Sequence, residues 1–329
     1  MSAPEPPFPP AARLRAHLAL CRVDHWVKNV FVIPGAAVAY SVAPEPLGLA
    51  LLARLAWGFA AIGLITSSNY VINEVLDAPY DRLHPAKRNR PAARGVISPP
   101  AAYAQWLLLL AAGLVCGLQV NLLFAASMAI LWLMGCLYNI PPVRTKDIVV
   151  LDVLSESVNN PLRMLAGWYL ITTAIIPPAS LLIAYWFVGC YFMAIKRLSE
   201  LREIGGETAA AYRISFQHYS EPFLLATIAF YGSLAMLLFG AFVIRYRLEL
   251  ALAFPLVAWV MALYLRLAFQ PDSPAQHPEL LYKQPLLVAA VAACVAAMAV
   301  LLYVPLPWMH GLFAPTLPLS GAFPALPGP

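Results

Sequence analysis

The sequence is poor in charged residues. Of its 329 residues, only 11% are Asp, Glu, Lys or Arg, whereas a soluble globular protein contains roughly 25%. Hydrophobic residues make up 61%, and the mean hydropathy is +0.73. This composition excludes an ordinary soluble domain and is typical of a protein that crosses a membrane several times.

Several other features are missing from the sequence. Apolar and polar residues do not alternate along extended stretches, which disfavours a β-barrel. The five cysteines are scattered, none forms a CxxC pair, and no Cys/His set has the spacing of a zinc site. The region before the first apolar segment lacks the hydrophobic core of a signal peptide. The remaining signal is a series of long apolar segments.

Each of these segments contains about 20 apolar residues, enough to cross the hydrocarbon core of a bilayer. We expect them to be helical, because a helix satisfies its own backbone hydrogen bonds in lipid. The sequence therefore predicts an all-α polytopic membrane protein with about nine transmembrane helices. The membrane domain covers 26–304, between an N-terminal tail at 1–25 and a Pro-rich C-terminal tail at 305–329. The nine segments are 26–42, 47–76, 100–119, 122–140, 148–172, 176–195, 222–243, 249–269 and 285–304.

The basic residues are distributed unevenly between the two sides of the predicted membrane domain. With a cytoplasmic N-terminus, 17 of the 21 Lys and Arg residues fall in cytoplasmic segments, and only Arg245 and Arg247 fall in outside loops. This asymmetry predicts that orientation, in a bacterial-type cytoplasmic (inner) membrane. It also accounts for the net charge of +5 without a nucleic-acid partner.

Polar side chains interrupt the second segment at helical spacing. Asn69, Asn73 and Asp77 are separated by four residues each, so they lie on one face of a helix. Pro79 disfavours the helical conformation of the preceding residue. We therefore expect the helix to end or kink there, with Asp81 in the following turn.

A second polar stripe runs along the fifth segment, where Asp152, Glu156, Asn159, Asn160 and Arg163 fall within roughly a 100° arc. Ionisable groups within a membrane helix are costly, and they indicate a functional site. Two carboxylates one helical turn apart also repel each other. Two such acid groups on two helices therefore predict a bound cation.

Hard oxygen ligands favour Mg²⁺, which is typically bound by one or two carboxylates together with phosphate oxygens and water. Basic side chains near the acids could hold the remaining phosphate oxygens. The candidate phosphate ligands are Lys28, Asn29, Lys87, Arg88, Arg90, Arg163, Lys196 and Arg197. Two bland explanations stay open, namely that the loop bases only fix topology and that Arg163 only neutralises Glu156. A transporter is the alternative from another class, although transporter sites tend to lie near the membrane midplane.

These motifs resemble those of a known family. Asn73, Asp77 and Asp81, in the pattern N-x-x-x-D-x-x-x-D, resemble the first aspartate-rich motif of the UbiA superfamily of intramembrane prenyltransferases. Asp152 and Glu156 resemble its second motif, D-x-x-x-D, with Glu in the last place. The resemblance implies helices around a central cavity and a Mg²⁺-dependent transferase that acts on a polyprenyl lipid. It also implies that these four acids are catalytic and, with Asn73, bind the metal; whether Glu74 or Asp147 joins them stays open.

Three further stretches are similar to one branch of that superfamily, the decaprenyl-phosphate phosphoribosyltransferases: "HWVKN" at 25–29, "DRLHPAKRNRPAARG" at 81–95 and "AIKRLSEL" at 194–201. The stretch "LDVLSESVNNPLRMLAGW" at 151–168 departs from that branch. The resemblance favours transfer of phosphoribose from phosphoribosyl pyrophosphate, an anionic soluble co-substrate, to a polyprenyl phosphate, at an active site facing the cytoplasm. The alternative within the superfamily is prenyl transfer from a polyprenyl diphosphate to an aromatic or other small acceptor.

Overall fold

The computed structural model describes residues 8–82, 87–205, 214–276, 278–314 and 316. These residues form α-helices joined by short 3₁₀ segments and turns, and they contain no β-strand, as the sequence predicts. The α-helices are α1 (Pro10–Leu20), α2 (Ile33–Val42), α3 (Leu49–Asp81), α4 (Pro99–Leu118), α5 (Leu122–Asn139), α6 (Leu151–Ser157), α7 (Asn159–Ile171), α8 (Ala179–Ile204), α9 (Glu221–Tyr246), α10 (Phe254–Leu267), α11 (Pro285–Tyr303) and α12 (Pro307–Leu312).

Seven helical segments in the described part of the chain are long and apolar enough to cross a membrane. They are α3, α4, α5, α8, α9, α11 and the segment Leu248–Leu267, which contains α10. Large apolar side chains point outward along them, such as Leu108 at 70% and Leu122 at 73% exposure. An integral membrane protein accounts for this surface, because a soluble protein rarely exposes so much apolar area. The predicted number of nine spans is not confirmed.

The other two predicted spans are helical but built from shorter pieces. In the segment 148–172, α6 ends at Ser157 and α7 begins at Asn159, with helical backbone angles at Val158 between them. Pro161 has no N–H to donate to the Ser157 carbonyl, which weakens the hydrogen-bond ladder at this point. In the segment 26–42, a 3₁₀ helix at Val23–Val32 continues directly into α2.

One local expectation was wrong. The sequence places a helix end or kink near Pro79, but α3 continues through Pro79 to Asp81. Proline removes only the hydrogen bond that its own N–H would make and crowds the preceding turn. Pro79 lies only two residues before the end of α3, so few further backbone hydrogen bonds of the helix depend on the turn that it crowds. Asp81 is therefore held on α3 itself.

Close helix packing positions the polar residues. α3 packs against α4 and α5, α8 packs against α9, and α2 crosses α7. The crossing of α2 and α7 depends on two glycines: a Cβ on Gly35 would lie 1.9 Å from the Met164 carbonyl oxygen, and one on Gly167 would lie 2.0 Å from that of Val32. This contact fixes α7 beside the segment 23–42.

The N-terminal segment is partly helical. Ala16 and Leu20 of α1 pack with Val71 of α3 and Ala102 of α4. The domain limits at 25/26 and 304/305 stay predictions. Residues 1–7 of the predicted N-terminal tail, and residues 315 and 317–329 of the predicted C-terminal tail, lie outside the described residues.

Candidate functional site

The first polar motif faces α5 and the segment that follows it. The Asn69 amide Nδ2 donates to the Leu131 carbonyl at 3.0 Å, and the Asn73 amide Nδ2 donates to Asn139 Oδ1 at 2.5 Å. Asp77, one turn further along α3, faces the segment after α5. The three residues therefore share one face, as their spacing predicts.

Two bases that follow α5 hold Asp77. Its Oδ1 accepts from Arg144 Nη2 at 3.0 Å and from Lys146 Nζ at 2.5 Å. Arg144 also donates through Nε to Asp147 Oδ2 at 2.8 Å. Arg144 and Lys146 belong to the 17 basic residues of the predicted cytoplasmic segments, but neither is among the candidate ligands predicted from the sequence. The available signal was their place in "RTKD", shortly after a span whose end must lie near the end of α3.

Asp81 pairs with a base from the loop that follows α3. Its side chain is 1% exposed, and Oδ2 accepts from Arg90 Nη1 at 2.8 Å. Glu74, one turn before Ala78 on the same helix, is also buried and accepts from the Ala92 backbone N–H at 3.3 Å. The loop therefore folds back onto the end of α3 and places its bases beside the acids.

The second motif is anchored on α8. Asp152 lies in the first turn of α6 and is fully buried. It accepts from Arg197 Nε at 2.8 Å and from the Tyr219 hydroxyl at 2.5 Å. Arg197 also donates to Glu200 Oε2 at 3.1 Å. Burial, and then the Asp152 carboxylate, raise the pKa of Tyr219, so this hydroxyl remains a donor to Asp152.

Tyr138, at the end of α5, joins the two motifs. Its hydroxyl accepts from Arg197 Nη2 at 3.2 Å, and Lys146 Nζ lies 5.9 Å from the centre of its ring. On the other side, Lys87 Nζ lies 3.8 Å from Glu200 Oε1. The result is a chain of alternating acids and bases, here called the polar ring. Its members are Asp77, Asp81, Lys87, Arg90, Tyr138, Arg144, Lys146, Asp147, Asp152, Arg197 and Glu200.

Lys87, on the loop after α3, is a base of the polar ring whose pKa is strongly lowered. Burial lowers its pKa from 10.5 to about 8, against the opposing effect of the Glu200 carboxylate. The nearby positive charges of Arg90 and Lys196 add to the decrease. Lys87 can therefore change its charge near neutral pH, and an anion bound beside it would stabilise the protonated form.

Glu156 and Arg163 lie deeper in the bundle than the polar ring. Among the described residues, Glu156 makes no hydrogen bond or ion pair, and the buried Nε of Arg163 has no hydrogen-bond partner. The two therefore do not form the direct ion pair that would reduce Arg163 to a counter-ion of Glu156. Both interact electrostatically with the Tyr70 hydroxyl of α3.

The remaining predicted ligands are spread over both levels. Lys196 adjoins Arg197 on α8 and acts electrostatically on Lys87. Arg88 is exposed on the loop. Lys28 is half-buried and Asn29 is 5% exposed, both on the 3₁₀ helix Val23–Val32. The polar ring thus gathers most of the predicted acids and five neighbouring bases, whereas Glu156, Arg163, Lys28 and Asn29 lie outside it.

The donors of the polar ring fit Mg²⁺ in type but do not form a ready-made cage. Within the described ranges, no group of three acidic, histidine or cysteine side chains could hold a metal ion. Asp77, Asp81 and Asp152 each face a base instead. Mg²⁺ needs only one or two carboxylates when phosphate and water supply the other oxygens. The residues therefore fit a metal that arrives with a phosphate-bearing substrate.

Comparisons with known proteins agree with this geometry. The UbiA prenyltransferase family matches residues 29–283. A decaprenyl-phosphate phosphoribosyltransferase of Mycolicibacterium smegmatis is 31% identical over 219 residues, which cover 66% of each chain, just under two thirds of that relative. The nodulation protein NoeC of Azorhizobium caulinodans is 32% identical over 188 residues, which cover 56% of this chain and 57% of that protein.

A solved structure shares the fold. The UbiA homologue from Archaeoglobus fulgidus, bound to GPP and Mg²⁺, superposes with a TM-score of 0.66 at 20% identity, and the match covers 86% of this chain and 99% of that chain. The family match, which spans more than half of the sequence, agrees with this fold and with the two polar motifs. The chain therefore belongs to the UbiA prenyltransferase family.

Proposed function

We propose that this transferase is Mg²⁺-dependent and that it moves phosphoribose from phosphoribosyl pyrophosphate onto a polyprenyl phosphate. The observation that carries the proposal is the polar ring, in which every acid of the two motifs except Glu156 is paired with a base. Such a ring can exchange partners. The carboxylates would hold the metal, and the bases would hold the phosphate oxygens.

The chemistry requires this division of roles. Bound Mg²⁺ would stabilise the negative charge of a departing diphosphate. Asn73, Asp77, Asp81 and Asp152 are the proposed metal ligands, and Glu156, the last acid of the second motif, lies deeper than the polar ring. Arg90, Arg144 and Arg197 offer guanidinium forks that match phosphate oxygens, and Tyr138 keeps the two halves of the ring in register. These side chains bind and orient the diphosphate.

Bases outside the polar ring could hold the further phosphates of such a substrate. The polar ring has five acids and five bases, and its net formal charge is zero. Bases outside the ring must therefore neutralise any phosphate beyond the diphosphate. Lys196 and Arg88 lie near the ring, and Lys28 and Arg163 lie deeper. The name of the Mycolicibacterium relative supports the same substrate class.

Prenyl transfer is the second candidate. The Archaeoglobus homologue was solved with GPP and Mg²⁺, and the polar ring of this chain would accept a prenyl diphosphate by the same exchange of partners. In that reaction, diphosphate leaves an allylic carbon of the prenyl chain, and an aromatic or other small acceptor attacks that carbon. The two candidates differ in the number of phosphates that the site must hold.

A product assay decides between them. Purified protein in lipid nanodiscs receives labelled phosphoribosyl pyrophosphate with polyprenyl phosphate, or labelled polyprenyl diphosphate with aromatic acceptors, each with Mg²⁺. We expect label in the lipid phase only with the phosphoribosyl donor and only when the lipid is phosphorylated. The Asp152→Asn variant is the inactive control. Transfer of the prenyl label to an acceptor, without phosphoribosyl transfer, would establish the second candidate instead.

We also propose that the polar ring faces the cytoplasm in a bacterial-type inner membrane. The ends of α3, α5 and α8, together with the loops that follow them, carry 11 of the 21 Lys and Arg residues, and such an excess is typical of the cytoplasmic side. A soluble, phosphorylated donor made in the cytoplasm would then reach the site without crossing the membrane.

A further inference from the structure

A second polar cluster lies inside the bundle. Glu156, Asn159 and Arg163 occupy positions i, i+3 and i+7 across the short junction between α6 and α7. Because Val158 keeps helical backbone angles, the three side chains share one face. That face is directed at Tyr70 of α3, whose hydroxyl interacts with both charged groups.

Two more elements close the cluster. Tyr185 of α8 interacts electrostatically with Arg163 and donates its hydroxyl hydrogen to the Phe31 carbonyl at 3.2 Å. The ring centres of His25 and Tyr70 lie 5.5 Å apart, and those of Phe31 and Tyr185 lie 6.1 Å apart. Residues three apart eclipse on a 3₁₀ helix, so Lys28 lies on the same face, between these two contacts. We call the set the inner cluster: Lys28, Tyr70, Glu156, Asn159, Arg163 and Tyr185.

The inner cluster has hydrogen-bonding capacity that the described protein atoms do not use. The Arg163 Nε and the Asn159 Oδ1 are buried without a hydrogen-bond partner. Buried polar groups are satisfied in the great majority of cases, and the unpartnered Nε belongs to a charged guanidinium, which can only donate hydrogen bonds. The Arg163 Nε therefore points to a ligand with an acceptor oxygen, and the Asn159 Oδ1 points to one that also carries a donor, such as a hydroxyl group.

The charge and the depth define that ligand further. The formal charges of Lys28, Arg163 and Glu156 sum to +1, and those of Arg22 and Asp24, which also interact with Tyr70, cancel each other. Tyr70 precedes Asp77 of the polar ring by seven residues on α3, which corresponds to roughly 10 Å at 1.5 Å per residue. A diphosphate bound at the polar ring is too short to reach the inner cluster over that distance along the bundle axis.

We propose that the inner cluster is a separate binding site for a phosphate monoester, the second anionic group of the reaction, with Arg163 as its principal ligand. The proposal deepens the proposed function and rests on it for the identity of the monoester. Two groups share this chemistry, namely the phosphate of the polyprenyl acceptor and the 5-phosphate of the phosphoribosyl donor. A prenyl transfer to a neutral aromatic acceptor would leave such a site without a ligand.

Binding measurements on protein in nanodiscs test the site without turnover. The ligands are polyprenyl phosphate with polyprenol as its uncharged control, and ribose 5-phosphate with ribose as its control. The variants are Arg163→Gln and Arg163→Lys, with Arg54→Gln as the matched control, because Arg54 pairs with Glu45 at the far end of α3. Diphosphate binding with Mg²⁺, measured in parallel, reports on the polar ring and on correct folding.

We expect wild-type protein to prefer one of the monoesters to its uncharged control. Arg163→Gln should weaken that binding by about 10- to 150-fold, the usual loss for a charge-assisted hydrogen bond. Arg163→Lys should fall between, because an ammonium cannot replace the guanidinium fork, and it also serves if the glutamine variant does not fold. Diphosphate binding and the Arg54→Gln variant should be unchanged.

Whichever monoester depends on Arg163 identifies the source of the phosphate. The proposal is overturned if neither monoester is preferred to its control, or if both bind the Arg163 variants as tightly as wild type. Failure of the proposed function would look different: the product assay would show prenyl transfer, and binding of a monoester that still depends on Arg163 would then have no part in that reaction.

Discussion

The pKa of Lys87 makes a quantitative prediction about the pH dependence of donor use. Its ammonium lies 3.8 Å from the Glu200 carboxylate, and its side chain is 27% exposed. Burial lowers the pKa from 10.5 to about 8. If protonated Lys87 binds a donor phosphate, kcat/KM for the donor follows its protonated fraction, because kcat/KM reports ionisations of the free enzyme.

The expected magnitude follows from that value. With a pKa of about 8, the protonated fraction is about 90% at pH 7 and about 10% at pH 9, so kcat/KM should fall roughly ten-fold over this range. Donor phosphates are already fully ionised there, because their second pKa is about 6. The Lys87→Arg variant should show no such fall, since a guanidinium keeps its charge.

Stability should change in the opposite direction, which separates this effect from alkaline unfolding. Between pH 8 and 10.5, the unfolded state keeps the Lys87 proton that the folded state has lost. The unfolded state then binds more protons, so this residue increases the free energy of unfolding as the pH rises. Below pH 8 both states are protonated, and the cost of burying the charge is fully present.

Steady-state kinetics with varied donor at pH 7, 8 and 9 provide the assay, with thermal unfolding measured on the same samples. The charges that face Lys87 come from Glu200 and Lys196 on α8, Asp81 on α3 and Arg90 on the loop. Equal pH profiles for wild type and Lys87→Arg would refute the reasoning, because the decrease would then belong to another group.

Three further predictions concern the acids and the topology. Arg197→Gln should destabilise the protein by about 3–5 kcal/mol, because it leaves the Asp152 charge buried without an ion pair. Adding Asp152→Asn should restore most of the unfolding free energy but no activity, and activity in that double variant would show that the pair is purely structural. Chelation should abolish turnover, Mg²⁺ should restore it, and Asp77→Asn should lower kcat more than it raises the donor KM; undiminished rates in excess chelator would exclude the metal. In a cysteine-free background, Asn89→Cys should react with a thiol reagent only from the cytoplasm and Leu47→Cys only from outside, and labelling in the reverse sense would invert the proposed orientation.

Periodicity made part of the site predictable. Asn69, Asn73 and Asp77 share a face because four residues nearly complete a helical turn, and each contacts α5 or the segment after it. The same argument placed Asp152 with Glu156 on a second polar stripe. These predictions needed only helix geometry and the rarity of charges in lipid.

The partners of the acids could not be predicted in this way. Arg144 and Lys146 reach Asp77 because the segment after α5 turns back toward the end of α3, and sequence distance gives no measure of that approach. Tyr138 looked like one aromatic residue among many, but it bridges Arg197 and Lys146. Tyr219, a further ligand of Asp152, lies 67 residues away along the chain.

Composition and the length of the apolar segments by themselves determined the all-α membrane class, because a helix in a bilayer satisfies all its backbone hydrogen bonds within one segment. The spacing of the acids determined which faces are polar. Only the tertiary structure decided which base meets which acid, that α3 runs through Pro79 to Asp81, and that Arg163 lies away from the polar ring without an ion pair. Which residues share a helix face depends on local geometry alone. Which helices meet depends on contacts between distant segments, such as the crossing of α2 and α7 at Gly35 and Gly167, and on the path of the loops.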